Sequence, residues 1–411
     1  MLISASGFPS TRRRGTVLIL FAVFLTALIG MVAFAIDVGY IALVKTKLQT
    51  TADAGALAGA GKMYILPGQP PVDEATVKAE VRQFVDLNVP GLTVLEEDIK
   101  LCRYNPFAAA GSRLSYDLSS APANAVQVTV RRDALANSPL DLFFAPVIGN
   151  RQASVAATAT AYIMKAGGIG AGSPLLPYAM NVNYFEASKG GQDYIGVDGL
   201  VIPTADAYTV DKTNFNVSLL PDGTREVVLF SSSASGPGNF GTVDIGGADN
   251  TTSGLVRQIY SGPDEADFAD PAFAAQLNPQ DGALYSPFVA NGDTGMSTSA
   301  KSALTDIIGQ PRIIPLYGPA PGPDGITGTI DDVDGPNGSD TVIDGVYGTG
   351  NTASYNIVKF AGVVITKVDF GGNPKRLWIQ PAFVVSNKVT PAGGSGPVMD
   401  GVYTSPKLVI P

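Results

Sequence analysis

The sequence predicts an α+β protein built in series: one transmembrane helix, a small α+β domain close to it, and a mostly β distal domain. Three observations carry that prediction. Gly15–Ile36 is a run of 22 residues without a charge, long enough as a helix to span roughly 33 Å at 1.5 Å per residue and so cross a bilayer's hydrocarbon core. No comparable apolar run follows it in the 411-residue chain. The composition, with 47 Gly, 30 Pro and only 15% charged residues, favours turn-rich β structure over helical bundles.

Residues 1–14 read as a cytoplasmic tail ending in Arg12, Arg13 and Arg14. The first positive residues beyond the span are Lys45 and Lys47, so the positive-inside rule places the N-terminus in the cytoplasm and residues 37–411 outside. A cleavable signal peptide is the competing reading, since Ala33-Phe34-Ala35 fits a small-x-small site; against it, signal-peptide cores are only about 7–15 residues long. Residues 15–62 form the span and its extension. Beyond Asp37, Ile41, Val44, Leu48, Ala52 and Gly55 recur at helical spacing as one apolar stripe. Small residues at Ala52, Ala56 and Ala60, beside Gly55 and Gly59, let another backbone come close.

A membrane-proximal α+β domain follows over residues 63–165. Pro67–Pro71 breaks the pattern. Asp73–Leu87 reads as a helix with acidic residues at its start and Val77, Val81, Phe84 and Val85 on one face, ended by Asn88 and Pro90-Gly91. Leu92–Leu101 and Arg113–Leu118 read as strands about a turn at Asn105-Pro106, Val126–Val130 and Ser154–Ile163 as further strands, and Leu140–Ile148 as a short apolar helix. The glycines of residues 166–173 suggest a linker. In the distal domain, residues 174–411, the strand candidates are Arg225–Phe230, Gly254–Tyr260, Ile357–Phe370, Arg376–Val385 and Val402–Ile410, with one helix at Ser299–Ile308.

Ile36-Asp37-Val38-Gly39-Tyr40, followed by Lys47-Leu48-Gln49-Thr50-Thr51-Ala52-Asp53-Ala54-Gly55-Ala56-Leu57-Ala58-Gly59-Ala60, resembles the N-terminal module of TadG-like proteins of the Flp (Tad) pilus assembly system. Shorter stretches at residues 237–240, 312–317 and 355–361 are similar to outer parts of such proteins. The resemblance implies a pilin-like proximal domain, a place in the inner (cytoplasmic) membrane as a single-pass protein, and other Tad/Flp pilus proteins as partners alongside the lipid bilayer. It also leaves two uses for the apolar stripe, packing on the chain's own outer domain or contact with another subunit. Some relatives carry an Asp-x-Ser-x-Ser metal motif; Asp117-Leu118-Ser119-Ser120 has the wrong spacing, so metal-dependent adhesion does not carry over. Prepilins carry a glutamate at the fifth position after the cut; counted from Gly15 that position is Leu20, which argues against processing as a pilin.

Several chemistries are excluded or disfavoured. With no histidine in the chain, Ser-His-Asp and Cys-His catalysis and His-ligated zinc fall away. A net charge of −9 argues against nucleic acid, and the glycines of 166–173 lack the Gly-Lys-Ser/Thr ending of a nucleotide loop. Cys102, the sole cysteine, reads as a buried small hydrophobe. Ser188-Lys189 reads as an ordinary surface pair. Trp378 with Tyr347 and Tyr355 offers a carbohydrate platform or simple packing. One candidate cation site remains: Asp324, Asp331, Asp332, Asp334, Asp340 and Asp344, among glycines and Asn337, supply the oxygen ligands calcium takes, without EF-hand spacing. The plain alternative is a solvated acidic turn. The expected function is a non-enzymatic, membrane-anchored structural or accessory role in Flp-type pilus assembly or secretion, without a cofactor. The alternative is an anchored extracytoplasmic binding or adhesion module.

Overall fold

The computed structural model describes residues 16–65, 70–190, 194–195, 201–202, 204–211, 213–230, 240–246, 251–293, 298–318, 346–347, 353–371, 375–393 and 397–409. Span and extension form one unbroken helix, α1 (Thr16–Gly61, 46 residues), about 69 Å long at 1.5 Å per residue. Its two ends live in different surroundings. Val17, Leu20, Phe21, Phe24, Phe34 and their neighbours are exposed around the helix, as expected of a segment whose solvent is lipid. From Leu48 onward one face is buried, through Leu48, Ala52, Ala56 and Ala60.

That buried face lies against a second helix and a sheet. Helix α2 (Glu74–Asn88) is capped by Asp73, whose carboxylate accepts from the Thr76 amide, and buries Val77, Val81 and Val85. The first sheet contains β1 (Ile99–Tyr104), β2 (Leu114–Ser115) and β3 (Ala125–Arg132). After the β4–β5 hairpin (Leu140–Asp141 with Gln152–Ala153) comes β6 (Val155–Tyr162). Its order is β2-β1-β3-β6, completed by Lys407–Leu408 from the far end of the chain, all antiparallel. Close approach explains the helix glycines: a Cβ on Gly59 would sit 2.7 Å from Val81 Cγ2 and 3.3 Å from Val126, and one on Gly55 3.0 Å from Val85.

Three local expectations change here. The strand expected from Leu92 starts only at Ile99, because Glu96–Asp98 make a 3-10 turn whose carboxylates pair with Lys78, Arg82 and Arg131. The strand expected over 113–118 shrinks to Leu114–Ser115. The helix expected over 140–148 is instead strand β4 followed by a 3-10 turn at Ala145–Ile148, ended by Gly149 at φ 94°. Pro146 in that turn has no amide hydrogen to extend it.

The expected linker at 166–173 is corrected as well. Its first half is β7 (Ala166–Ile169), fully buried between Leu284–Tyr285 and Val389–Pro391. Glycine serves tight packing at this point: a Cβ on Gly168 would lie 2.5 Å from Thr390 Oγ1 and 2.7 Å from the Tyr285 ring.

Beyond it, β8 (Tyr178–Asn181) joins a ring of five strands. The circuit runs from β8 to Phe240–Val243, Phe288–Asp293, Ala353–Asp369 and Pro311–Tyr317, which pairs parallel with β8 and closes it. Within the ring each strand is paired on both sides, which removes there the edges an open sheet would present. The far half of the 17-residue strand Ala353–Asp369 carries the sheet outward to Arg376–Pro381, Glu226–Phe230 and Thr204–Ala205. Side chains alternate across the wall: Tyr178 and Met180 face one core with Ile314 and Leu316, and Ala179 faces another with Ile313, Tyr317 and Phe360. The first core is covered by α3 (Val182–Gly190), not foreseen in the sequence, by α4 (Thr252–Ser261) and by the helix Lys301–Asp306. Helix α4 replaces the strand expected at 254–260; Thr251 caps it, and Leu255 and Ile259, four apart, are buried. The helix expected at 299–308 is present as a 3-10 turn and Lys301–Asp306.

The last segment stitches both regions together. Tyr403 Oη donates to Ile65 O (3.1 Å) and accepts from Ile65 N (3.0 Å). Tyr64 stacks on Phe383 at 3.7 Å, Thr404 N donates to Met164 O, and Val409 N to Thr160 O. Residues beyond 174 therefore take part in the first sheet.

Candidate functional site

The most developed polar geometry near the lipid-facing segment is centred on Asp37. This carboxylate directly follows the charge-free run, yet it is buried. It accepts from three successive amides: Phe143 N at 2.9 Å, Phe144 N at 3.0 Å and Ala145 N at 2.6 Å. Those amides open the 3-10 turn Ala145–Ile148, where backbone donors lack internal partners. The Tyr40 ring lies 5.1 Å from that of Phe143. The helix is thus pinned to the β4–β5 hairpin at the level where the span ends.

Further along α1, the residues of the Leu-Gln…Ala-Asp-Ala run divide by role. Leu48, Ala52, Ala56 and Ala60 are the buried stripe. Gln49 Nε2 donates to Asp53 Oδ1 (2.8 Å) and to Thr158 O of β6 (3.3 Å). The stripe packs on the chain's own α2, β3 and β6, which is one of the two uses the sequence allowed. What the arrangement does chemically is hold a helix with a long, exposed apolar end rigidly in a folded domain.

Charged centres in the distal region are committed to structure. Asp400 Oδ2 accepts from Lys189 (2.9 Å) and Lys359 (2.7 Å), and Glu186 pairs with Lys189 at 2.5 Å. Burial pushes the Asp400 carboxyl up, but the two lysines beside it outweigh this and hold it below its ordinary value. Burial likewise opposes the charge on Lys189, and its carboxylate partners keep its pKa above the ordinary value. The surface-pair reading of Ser188-Lys189 is therefore corrected: Ser188 is buried and donates to Phe185 O. Arg257 binds Asp264 and Asp267 at 2.6 Å each. Glu226 is fully buried, with Oε2 accepting from Ala207 N (2.9 Å) and Oε1 unpartnered among the described residues. Burial is the main reason its pKa rises to about 7, with Asp206 adding to it.

A cleft of about 1080 Å³ lies along the outer strands, lined by Pro70, Val210, Phe215, Asp222, Gln380 and Val384 among others. Gln380 Nε2 donates there to Asp222 Oδ1 (2.9 Å) and Thr224 O (3.2 Å). Its size suits a small ligand or a peptide segment, and its acidic side chain is engaged by Gln380.

The six aspartates Asp324, Asp331, Asp332, Asp334, Asp340 and Asp344 lie outside the described residues, as do Arg12–Arg14 and Gly15. Among the described residues no group of His, Cys, Asp and Glu is arranged to hold a metal. The aromatic platform is not assembled: Tyr355 is buried in the ring, against Tyr317, whereas Trp378 stands on another strand with Lys367 4.5 Å above its ring. Cys102 is buried as expected, and desolvation pushes its thiol up to about 11. Sequence reading did not find the Asp37 cap. The usable clue was an aspartate closing the apolar run, to be matched with a proline-bearing turn elsewhere. The Lys189–Asp400–Lys359 group left no local clue, since three distant segments build it.

Residues 15–62 match the Tad family, described as Flp pilus-assembly TadE/G-like, and residues 58–161 match Tad_C, described as Tad-like Flp pilus-assembly. The two matches run through α1, α2 and the first sheet to the end of β6. No curated relative and no solved structure matches the chain.

Proposed function

From a chain whose residues 15–161 carry the Tad and Tad_C regions of Flp pilus-assembly proteins, we propose a membrane-anchored structural protein that supports a Flp-type pilus or secretion apparatus. In this reading the protein crosses the inner membrane once, with its N-terminus inside and its bulk outside, and it works with other Tad/Flp pilus proteins without catalysing a reaction. The observation that carries it is the continuity of α1: one helix is lipid-facing at one end and buried under a sheet at the other. Force or position at the membrane is then transmitted to the outer domain without a hinge.

Two measurements test it. Intact mass of the membrane-extracted protein should include the N-terminus; loss through Gly15 would mean a filament subunit, and loss through Ala35 a secreted protein. Affinity capture of the full chain from membranes should bring pilus ATPase and platform components with it, and their repeated absence would defeat the pilus role. The distal cleft favours one second reading, an anchored binding module; saturable binding of a glycan by the full chain, lost on Phe215→Asp, would support it.

A further inference from the structure

The hairpin turn that Asp37 holds carries large apolar side chains that the described residues leave largely exposed. Phe143 is 63% exposed, Phe144 43% and Val147 88%. Leu135, on the turn just before the hairpin, is 67% exposed. Exposed apolar residues scattered singly are ordinary, but a cluster at one end of a domain marks a contact surface.

Both turns leave the same end of one strand pair, since Arg132, the last residue of β3, pairs with Val155, the first of β6. That end faces the membrane. Along β3, Val126 sits beside Gly59 of α1 and Val128 beside Gly55, so the strand descends toward the span as it approaches Arg132. The amides of Phe143, Phe144 and Ala145 then meet Asp37, the first residue beyond the charge-free run. Their height is therefore the outer limit of the hydrocarbon core. Phenylalanine and valine side chains held at that level fit the zone where amphipathic segments bury about 5–10 Å into the headgroup boundary.

We infer that the Phe143–Val147 turn is a second membrane contact, its apolar side chains seated in the interfacial layer of the bilayer that α1 crosses. A single helix leaves the outer domain free to turn about the helix axis; a second contact, pinned to the first through Asp37, fixes the face it presents. The inference rests on α1 being a retained span and does not depend on the pilus role.

The test uses the full chain in phosphatidylcholine–phosphatidylglycerol vesicles, in a Cys102→Ser background. An environment-sensitive fluorophore is placed through Val147→Cys and, as control, through Glu265→Cys at an exposed distal position. Lipids carrying a nitroxide at a shallow acyl position should quench the first label at least threefold more than the second. Equal quenching at both positions, with the protein still floating with the vesicles, would overturn the inference alone. Failure to float would overturn the span itself. A label at 147 that is shielded only when another protein or a second copy is added would replace lipid by protein as the occupant and also defeat it.

Discussion

The proximal and distal regions solve the burial problem in different ways. The proximal one packs two helices on a five-stranded antiparallel sheet, and its core is built of small side chains: alanine and glycine on α1 face valine on α2 and β3. The distal one closes a ring of strands drawn from widely separated stretches and fills it with Tyr317, Tyr355, Phe360 and Phe288. In the first, stability depends on how near two backbones come; in the second, on large side chains and, in the strands beyond the ring, on what burial does to charge. The family matches fall wholly on the first.

Substitutions that strike each mechanism separately would break or sharpen this contrast. The largest expected loss is at Gly59→Leu, where the first added carbon already meets Val81 and Val126. Overpacking typically costs about 1–3 kcal/mol, and a first carbon already 2.7 Å from Val81 Cγ2 puts this substitution at the top of that range, read as a lower melting temperature of the detergent-solubilised chain. An unchanged melt would mean α1 does not lie that close to α2.

The distal counterpart is Glu226→Gln. The ordinary carboxyl value of 4.5 rises to about 7 in the fold, so the native state binds more protons than the unfolded one between these values. The stability tied to that proton is complete below pH 4.5 and is lost as pH rises through 7, a loss of about 3 kcal/mol by pH 8. Glutamine should match the parent near pH 4 and exceed it at pH 8; parallel pH profiles would refute the buried-carboxylate account.

A smaller effect tests whether the regions are coupled. Tyr403→Phe removes both hydrogen bonds to Ile65 at a cost of about 1–2 kcal/mol. Amide exchange in residues 63–65 should quicken as well. Independent regions would leave that exchange untouched. The smallest effect runs the other way: nothing lies within 4 Å of a Cβ on Gly39, so Gly39→Ala should stabilise α1 by about 0.5–1 kcal/mol through helix propensity alone. Set beside Gly59, it separates glycine kept for packing from glycine that packs on nothing.

Legibility followed the same division. Helix α1 could be read because its apolar period persists from Ile41 to Ala60, and α2 because Asp73, Val77, Val81 and Val85 give a cap and a face. The strands of β3 and β6 alternate cleanly. Where the reading failed, nonlocal packing had overridden local cues. Ala166-Gly167-Gly168-Ile169 looks like a spacer until Tyr285 and Thr390 close over it, and Leu255-Val256 looks like strand until Thr251 caps a helix. The Asp37 site was half legible: the carboxylate stands out in the sequence, but its partners lie more than a hundred residues on. Ring closure was not legible, because no single strand announces its neighbour.

The short strand Lys407–Leu408, paired with β6, has a consequence in time. As the chain is made, the anchor and the strands of the first sheet leave the ribosome early, while the residues that cover the β6 edge arrive only after the entire distal region. Throughout that interval β6 offers an open row of backbone donors and acceptors to any strand nearby. Synthesis therefore closes on a latch: a domain whose strands are made early is finished only when Lys407–Leu408 reaches β6.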